Sequence, residues 1–371
     1  WIEGEDVRAV AEILRADWIT TGPRVPAFEA AVARFVGARE GVAVSSGTAA
    51  LHAAIHASGV GEGDEVVVPA MTFASSANAV VFERGTPVFA DVDPRTLLLD
   101  PADVERRLTP RTRAVMAVDY AGQPCDYEVL RQICRGHDLT LIADACHALG
   151  ATYRGQRVGT LADFTAFSFH PVKHITTGEG GMVMTDSSEH ATRMRSFRNH
   201  GISSEARARE RQAAWHYEMV ELGYNYRLTD FQCALGMSQL TRLEDWLARR
   251  QALAAQYDQS LADLDGVTPL TVREDVEHAY HLYVVRVDGG GKGRRDAAFH
   301  AMRVRGIGVN VHYIPVHLHP FYRERFGTGE GQLPVCEQAY EEILTLPLFP
   351  RMSEADVDKV VTSLREALEA L

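Results

Sequence analysis

Residues 167–181 read Phe167-Ser168-Phe169-His170-Pro171-Val172-Lys173-His174-Ile175-Thr176-Thr177-Gly178-Glu179-Gly180-Gly181. An apolar run stops near Ser168, a lysine follows, and glycines lead directly into a second apolar run, Gly181 to Thr185. Short apolar runs bounded by turn residues read as buried strands, so Lys173 is held close to the end of a sheet. Working outward, runs of the same kind occur at Gly41 to Ser45, Glu65 to Pro69, Pro87 to Val92, Ala114 to Asp119, Leu139 to Asp144 and Phe164 to Phe169. Longer helical patterns separate them. In Gly47 to Ile55, between the first two, Leu51, Ala54 and Ile55 share one helical face. Strand alternating with helix predicts right-handed crossovers, a mainly parallel sheet and a ligand site outside the carboxyl ends of its strands.

After about Thr241 the rhythm changes. A long helix carries Leu243, Trp246, Leu247, Tyr257 and Leu261, strands are expected near Tyr280 to Val287 and Ile307 to Val311, and a final helix opens with the capping-box pattern Ser353-Glu354-Ala355-Asp356. The expected organisation is a large α/β domain over residues 1–240 and a smaller α+β domain over residues 241–371. Across 371 residues, 46% are hydrophobic and 24% charged, which excludes disordered, collagen-like and disulfide-scaffold classes. Lys and Arg number 38 against 50 Asp and Glu, and the resulting charge of -12 repels phosphate backbones, so no nucleic acid is expected as a partner. Five cysteines without a C-x-x-C fit neither a disulfide framework nor a zinc ribbon, and a reducing cytoplasm is the expected location. There is no apolar run of ~18 residues and no basic-then-apolar leader, so no membrane partner is expected.

Three stretches at strand ends carry chemistry. In Ser45-Ser46-Gly47-Thr48 a strand turns into a helix through small residues, which leaves backbone N–H groups free to meet an anion at the positive helix terminus. An ordinary helix cap is the alternative. In Leu141-Ile142-Ala143-Asp144-Ala145-Cys146-His147, Asp144 ends a strand otherwise too apolar for a charge and needs a cationic or hydrogen-bonding partner, unless it caps the next helix. Lys173 is the third, with a surface turn lysine as its alternative. An anion cradle, a carboxylate able to hold a pyridinium N–H and a lysine able to form an imine are together the demands of pyridoxal 5'-phosphate (PLP). Phe73 offers a ring for the pyridine face, or else a core side chain.

These residues resemble the DegT/StrS-type nucleotide-sugar aminotransferases, a branch of the fold-type I PLP-dependent transferases. The resemblance runs from Trp18-Ile19-Thr20-Thr21-Gly22-Pro23 through Ser46 to Leu51, Asp144 to Gly150, Ser168 to Gly181, His200-Gly201 and Gly223-Tyr224-Asn225-Tyr226-Arg227 to the C-terminal domain. It implies that Lys173 carries the Schiff base and that Asp144 pairs with the pyridine nitrogen. It further implies that Phe73 stacks on the ring, that Gly47, Thr48 and Ser168 bind the phosphate, and that His147 lies near the cofactor. Asn225 matches a phosphate contact donated by the other subunit, which implies a homodimer with shared active sites. Sugar dehydratases of this fold carry a histidine at the position of Lys173 and are disfavoured. Trp215 to Asn225 and Gly308 to Tyr322 are similar to the UDP-4-amino-4,6-dideoxy-N-acetyl-β-L-altrosamine transaminases of pseudaminic acid biosynthesis. That similarity implies amino transfer, from L-glutamate, to C4 of a UDP-linked 4-keto-6-deoxy-N-acetyl sugar, with Thr21, His312, Tyr313 and His317 on the substrate side. Two features depart from it: His319 stands where Gln is expected, and Ser203 to Gln212 finds no match. The alternatives are transfer to another nucleotide-linked keto sugar or a keto-cyclitol, and a PLP-binding regulatory protein without turnover.

Three other features carry less. His312, His317 and His319 include an H-x-H, but no Cys or carboxylate of suitable spacing completes a metal set, so no metal is expected. Gly289-Gly290-Gly291-Lys292-Gly293 lacks the spacing of a phosphate loop and reads as a turn. Arg207, Arg209 and Arg211 are interspersed with Glu205 and Glu210, which reads as a solvated face before a diphosphate clamp.

Overall fold

Seven strands form one sheet in the computed structural model, which describes residues 1–202, 213 and 215–370. They are β1 (Glu40–Val44), β2 (Glu65–Pro69), β3 (Thr86–Ala90), β4 (Thr112–Val118), β5 (Thr140–Asp144), β6 (Phe164–Ser168) and β7 (Gly181–Thr185). Each apolar run expected before Thr241 is one of these strands, with ends moved by no more than two residues. The spatial order is β1-β7-β6-β5-β4-β2-β3. Neighbours are parallel from β6 to β3, whereas β7 runs antiparallel to both β1 and β6.

Alternation along each strand divides the apolar side chains between two layers of helix. Val42, Val66, Ile142, Phe164 and Val183 face the helices Gly47–Ser58 and Ser188–Phe197, while Ala43, Val67, Leu141, Phe167 and Met182 face the side of the helices Arg24–Val36 and Tyr127–His137. The helix Gly47–Ser58 is more enclosed than its expected single face, for Ala49 to Ile55 are all buried. Its small side chains allow the sheet, the helix Ser75–Phe82 and the helix Ser188–Phe197 to close on it from several directions.

The position of β7 depends on Gly181, which pairs with Val44 on one side and Ser168 on the other. A Cβ there would lie 2.3 Å from the Ser46 carbonyl oxygen and 2.9 Å from the Gly47 nitrogen. Only glycine lets this strand begin directly beneath the turn that follows β1.

Beyond residue 241 the strands β8 (Val267–Pro269), β9 (Tyr283–Val287) and β10 (Ile343–Leu346) form an antiparallel sheet in that order. The helices Leu243–Leu261, Gly291–Val304 and Glu354–Glu369 share a core with it that includes Tyr257, Val285, Met302, Leu344 and Leu364. The expected capping box is present, with Asp356 N donating to Ser353 Oγ at 3.2 Å and Ser353 N to Asp356 Oδ2 at 2.8 Å. Ile307 to Val311, expected as a strand, makes only the isolated bridge Asn310–Thr345. Val309 N donates to the Ile307 carbonyl, a local turn that keeps it out of a ladder. Gly289 and Gly290 bend the chain, but Gly291, Lys292 and Gly293, expected in the same turn, open a helix. Leu243, Leu247, Val316, Tyr322 and Cys336 belong to the core beneath β5 and β6, and Val276–Glu277 pairs antiparallel with Thr152–Tyr153, so a division at residue 240 separates the two larger sheets but neither the cores nor this small third sheet. The arginines 207, 209 and 211 and the stretch 203–212 lie outside the described residues. Among the described residues no helix is long and apolar enough to cross a membrane.

Gly181→Ala tests the close approach. Displacing the Ser46 turn should cost about 1–3 kcal/mol, the range for overpacking, and lower the urea unfolding midpoint. An unchanged midpoint would show that the turn has room to move.

Candidate active site

The turn after β1 is ordered by its own side chain. Ser46 caps the helix Gly47–Ser58, accepting from Ala49 N at 3.0 Å. The N–H groups of Gly47 and Thr48 belong to the first turn, where no helical carbonyl reaches them. Gly47 must also be small, because a Cβ there would approach Ser168 Cβ to 2.8 Å. The helix N-terminus and the end of β6 thus meet across the start of β7, which makes an anion cradle of two backbone donors and a hydroxyl.

Asp144 is the last residue of β5 and is 6% exposed. Ser76 Oγ donates to its Oδ2 at 2.6 Å, Cys146 N to its Oδ1 at 3.3 Å, and Thr72 Oγ1 lies 2.7 Å from Ser76 Oγ. Each oxygen keeps capacity for a further donor. No helix follows Asp144 at residues 145–151, so the capping alternative does not apply. Beside it, Asp119 is fully buried, accepts from Cys125 N and the Tyr127 hydroxyl at 2.9 Å, and donates its own N–H to the Asp144 carbonyl at 3.1 Å. Burial, with the Asp144 charge adding to it, pushes the Asp119 carboxyl up to about 7.

Lys173 follows β6 and is half-buried. Burial lowers the pKa of its ammonium, with Cys146 and Asp144 opposing that shift, so the nucleophilic amine is easier to reach than in water. Burial, joined by the Asp144 charge, holds the Cys146 thiol well above its ordinary range, which keeps it protonated. His147 is 7% exposed; its Nε2 lies 3.1 Å from the Tyr313 hydroxyl, and its Nδ1 is buried without a partner. Burial keeps this imidazole neutral. The Phe73 ring, 59% exposed, stands 5.9 Å from that of Tyr313 at the mouth.

Gly47, Thr48, Phe73, Asp144, His147, Ser168, Lys173 and Tyr313 line one cavity of about 590 Å³. Thr72, Ser75 and Glu179 also line it, and Ser76 supports Asp144 from behind. These were not anticipated. The available signal was Thr72-Phe73-Ala74-Ser75-Ser76, a run of small polar residues after β2 that repeats the strand–turn–helix pattern of Ser45 to Thr48.

Four expected residues lie elsewhere. Asn225 is exposed and bridges to Asn199. Thr21 lines a separate cavity of about 270 Å³ with Arg195, Arg198 and Arg227. His312 lines a third, of about 430 Å³, to which Lys173 also contributes, and its Nδ1 lies 2.9 Å from Thr345 Oγ1. His317 is fully buried with Nε2 3.0 Å from Glu337 Oε1, so it supports the fold around Glu337 and does not line the Lys173 cavity. Among the described residues no group of three or more His, Cys, Asp or Glu is placed to hold a metal ion.

The cavity fits PLP on its own chemistry: a phosphate-sized cradle that a Cβ at Gly47 would crowd, a buried carboxylate with free acceptor capacity, an amine with its charge disfavoured, and an orphaned imidazole nitrogen. Known proteins agree. The chain is 41% identical over 368 residues to the spore coat polysaccharide biosynthesis protein SpsC of Bacillus subtilis, spanning 98% of this chain and 95% of that protein. The PMP-form of Spr1654, a sugar aminotransferase of Streptococcus pneumoniae, matches with a TM-score of 0.95 at 32% identity, covering 100% of this chain and 98% of that one. Helicobacter pylori PseC, an aminotransferase involved in the biosynthesis of pseudoaminic acid, matches with a TM-score of 0.94 at 30% identity over 100% and 98% of the two chains. Residues 1–365 match the model of one family, and the chain belongs to it: the DegT/DnrJ/EryC1/StrS aminotransferase family.

Proposed function

We propose that this protein transfers an amino group from L-glutamate to C4 of a UDP-linked 4-keto-6-deoxy-N-acetyl sugar, in the cytoplasm, as a step of pseudaminic acid or related surface-glycan biosynthesis. At the coarser level it is a PLP-dependent sugar aminotransferase of fold type I. The observation that carries the reading is the single cavity in which Lys173, Asp144 and the Gly47–Thr48 helix terminus meet. The finer substrate rests on the likeness to PseC and SpsC and on the stretches Trp215 to Asn225 and Gly308 to Tyr322.

When bound, PLP supplies a carbonyl that condenses with amines and a ring that takes up the electron pair released at the donor's α-carbon. The chain's own groups do the rest. Gly47 N, Thr48 N and Ser168 Oγ hold the phosphate. Asp144 keeps a proton on the pyridine nitrogen, and the Ser76–Thr72 pair fixes the carboxylate for that task. Lys173 Nζ tethers the cofactor, and once freed it removes the donor's α-proton and later returns a proton to the acceptor carbon. Phe73 covers the mouth, while the His147–Tyr313 pair forms a neutral wall. Asn225, away from its own cavity, completes the phosphate site of a second subunit. Trp215, 82% exposed, and Leu222, 74% exposed, precede it in the chain as apolar surface suited to such a contact.

Lys173→Ala should lower turnover by at least about 10²–10⁴-fold while leaving the unfolding midpoint intact. Undiminished product would remove the assignment. Asp144→Asn should cut turnover far more than it weakens PLP retention, and equal activity would reduce Asp144 to a structural role. Mass analysis of products from UDP- and dTDP-linked 4-keto and 3-keto sugars tests the acceptor, with the UDP-linked 4-keto-6-deoxy-N-acetyl sugar expected to be aminated most efficiently.

A mixed dimer tests the shared site. Pair a Lys173→Ala chain with an Asn225→Ala chain: if Asn225 crosses the interface, both defects fall on one pocket, the other is wild type, and activity rises above either parent homodimer. Asn225→Ala alone should lose about 1.5–3 kcal/mol of phosphate binding. With that loss confirmed, purified heterodimers that stay at half the Asn225→Ala rate place Asn225 at its own subunit's site.

A further inference from the structure

Asn225 sits in a stretch, residues 219–227, that is tied along one edge to residues 197–202 and near its end to the turn after β1. Tyr224 N donates to the Phe197 carbonyl at 2.7 Å, His200 N to the Tyr224 carbonyl at 3.0 Å, and Tyr226 N to the Arg198 carbonyl at 3.0 Å. Ser45 N donates to the Tyr226 carbonyl at 2.8 Å. The Tyr224 and Tyr226 rings stack with centroids 5.0 Å apart, and both lie against His52, whereas Asn225 between them is exposed. His52 is 1% exposed; its Nδ1 lies 3.1 Å from the Tyr226 hydroxyl and its Nε2 2.8 Å from Glu83 Oε1. Four residues on, along the same face of the helix Gly47–Ser58, His56 Nδ1 lies 3.4 Å from Glu83 Oε2 and its Nε2 3.2 Å from Glu221 Oε2. The relay Tyr226–His52–Glu83–His56–Glu221 therefore leaves the stretch on one side of Asn225 and re-enters it on the other. Burial raises the Glu83 carboxyl, but hydrogen bonds from the two imidazoles outweigh it and hold that carboxyl down at about 2, so the middle of the relay is anionic. A polar network with its members satisfied fixes one arrangement where apolar packing alone permits several.

We propose that His52, His56, Glu83 and Glu221 are positioning residues for the shared site, holding Asn225 where the cofactor phosphate of a second subunit meets it. The inference rests on the cross-subunit reading of Asn225 and deepens it. His52 and His56 stand on the helix whose first residues, Gly47 and Thr48, form this chain's own phosphate cradle. One rigid element thus carries the cradle of one pocket and the support for the amide that completes the other. A hydrogen bond weakens steeply with distance and angle, so an amide loosened at either end of its stretch loses most of its hold on a phosphate. The stretch has little other freedom, since a Cβ at Gly223 would lie 2.1 Å from the Gly201 nitrogen.

The test follows cofactor retention. Enzyme is loaded with PLP or with pyridoxal, which lacks the phosphate, and dissociation constants are read from the absorbance of the bound form. Asn225→Ala should weaken PLP about tenfold or more and leave pyridoxal unchanged. Glu221→Ala, at a partly exposed position, should weaken PLP about three- to tenfold while again sparing pyridoxal. Glu221→Gln, which keeps an oxygen for His56, should restore most of that loss. Added to Asn225→Ala, Glu221→Ala should change nothing further, because a residue that acts through another is not additive with it. If Glu221→Ala fails to fold, Glu83→Gln carries the same measurements at the middle of the relay. PLP affinity unaltered by the relay variant, equal losses of PLP and pyridoxal, or losses that add in the double variant overturn the proposal. Asn225→Ala that itself retains PLP removes the cross-subunit reading and the proposal with it, whereas a silent relay variant beside an impaired Asn225→Ala removes the proposal alone.

Discussion

The contact between Gly181 and the Ser46–Gly47 turn is the constraint on which the site depends. An antiparallel strand inserted at the end of a parallel sheet has its first residue where its neighbours have their last, so β7 begins at the ligand edge. That places the lysine loop, which must run from the end of β6 to the start of β7, directly over the carboxyl ends of the strands. It also draws the helix N-terminus and Ser168 to within van der Waals contact of each other. A side chain at residue 181 would separate the anion cradle from the lysine, and no rotamer change could restore the distance, because the atoms in conflict are backbone.

Around that frame the electrostatics are arranged by burial more than by pairing. Asp144 is held by a hydroxyl and a backbone N–H, so its charge remains available to a ligand. Asp119, a short distance away, is pushed up to about 7 by burial, which limits the negative charge accumulated under the cofactor cavity. The imidazoles of His147, His174 and His281 are all held well below their ordinary range by burial and stay neutral, leaving Lys173 and Arg250 to carry the cationic character of this region.

Much of this was legible in the sequence, because period-two burial and strand-end chemistry are local signals. The sheet strands, the glycine-rich lysine loop and the capping box at Ser353 follow from residues adjacent in the chain. The comparisons bear out the family, the fold and the cofactor. What failed was non-local. Ile307 to Val311 has the composition of a strand, yet Val309 turns back on Ile307, and nothing in the run itself announces that. His317, given to the substrate side by resemblance, is buried against Glu337, which belongs to a helix that comes later in the chain. Ser76 acts through Asp144, 68 residues away, and small hydroxyl residues at a helix start are too common to single out.

The two cavities that share Lys173 differ in sign, and this difference has a kinetic meaning. A chain of net charge -12 repels an anion at a distance, so long-range steering cannot concentrate one at the cavity entrance. Attraction begins only within a Debye length, about 8 Å at physiological ionic strength, where Arg351 and then Arg250 outweigh the distant acids. Added salt therefore acts on two opposed terms. It relieves the global repulsion, which speeds encounter, and it screens exposed Arg351 more than buried Arg250, which leaves the inner contact nearly intact. A desolvated cationic cavity in an acidic chain therefore attracts anions by contact rather than by long-range field, a selectivity that a uniformly basic protein could not have.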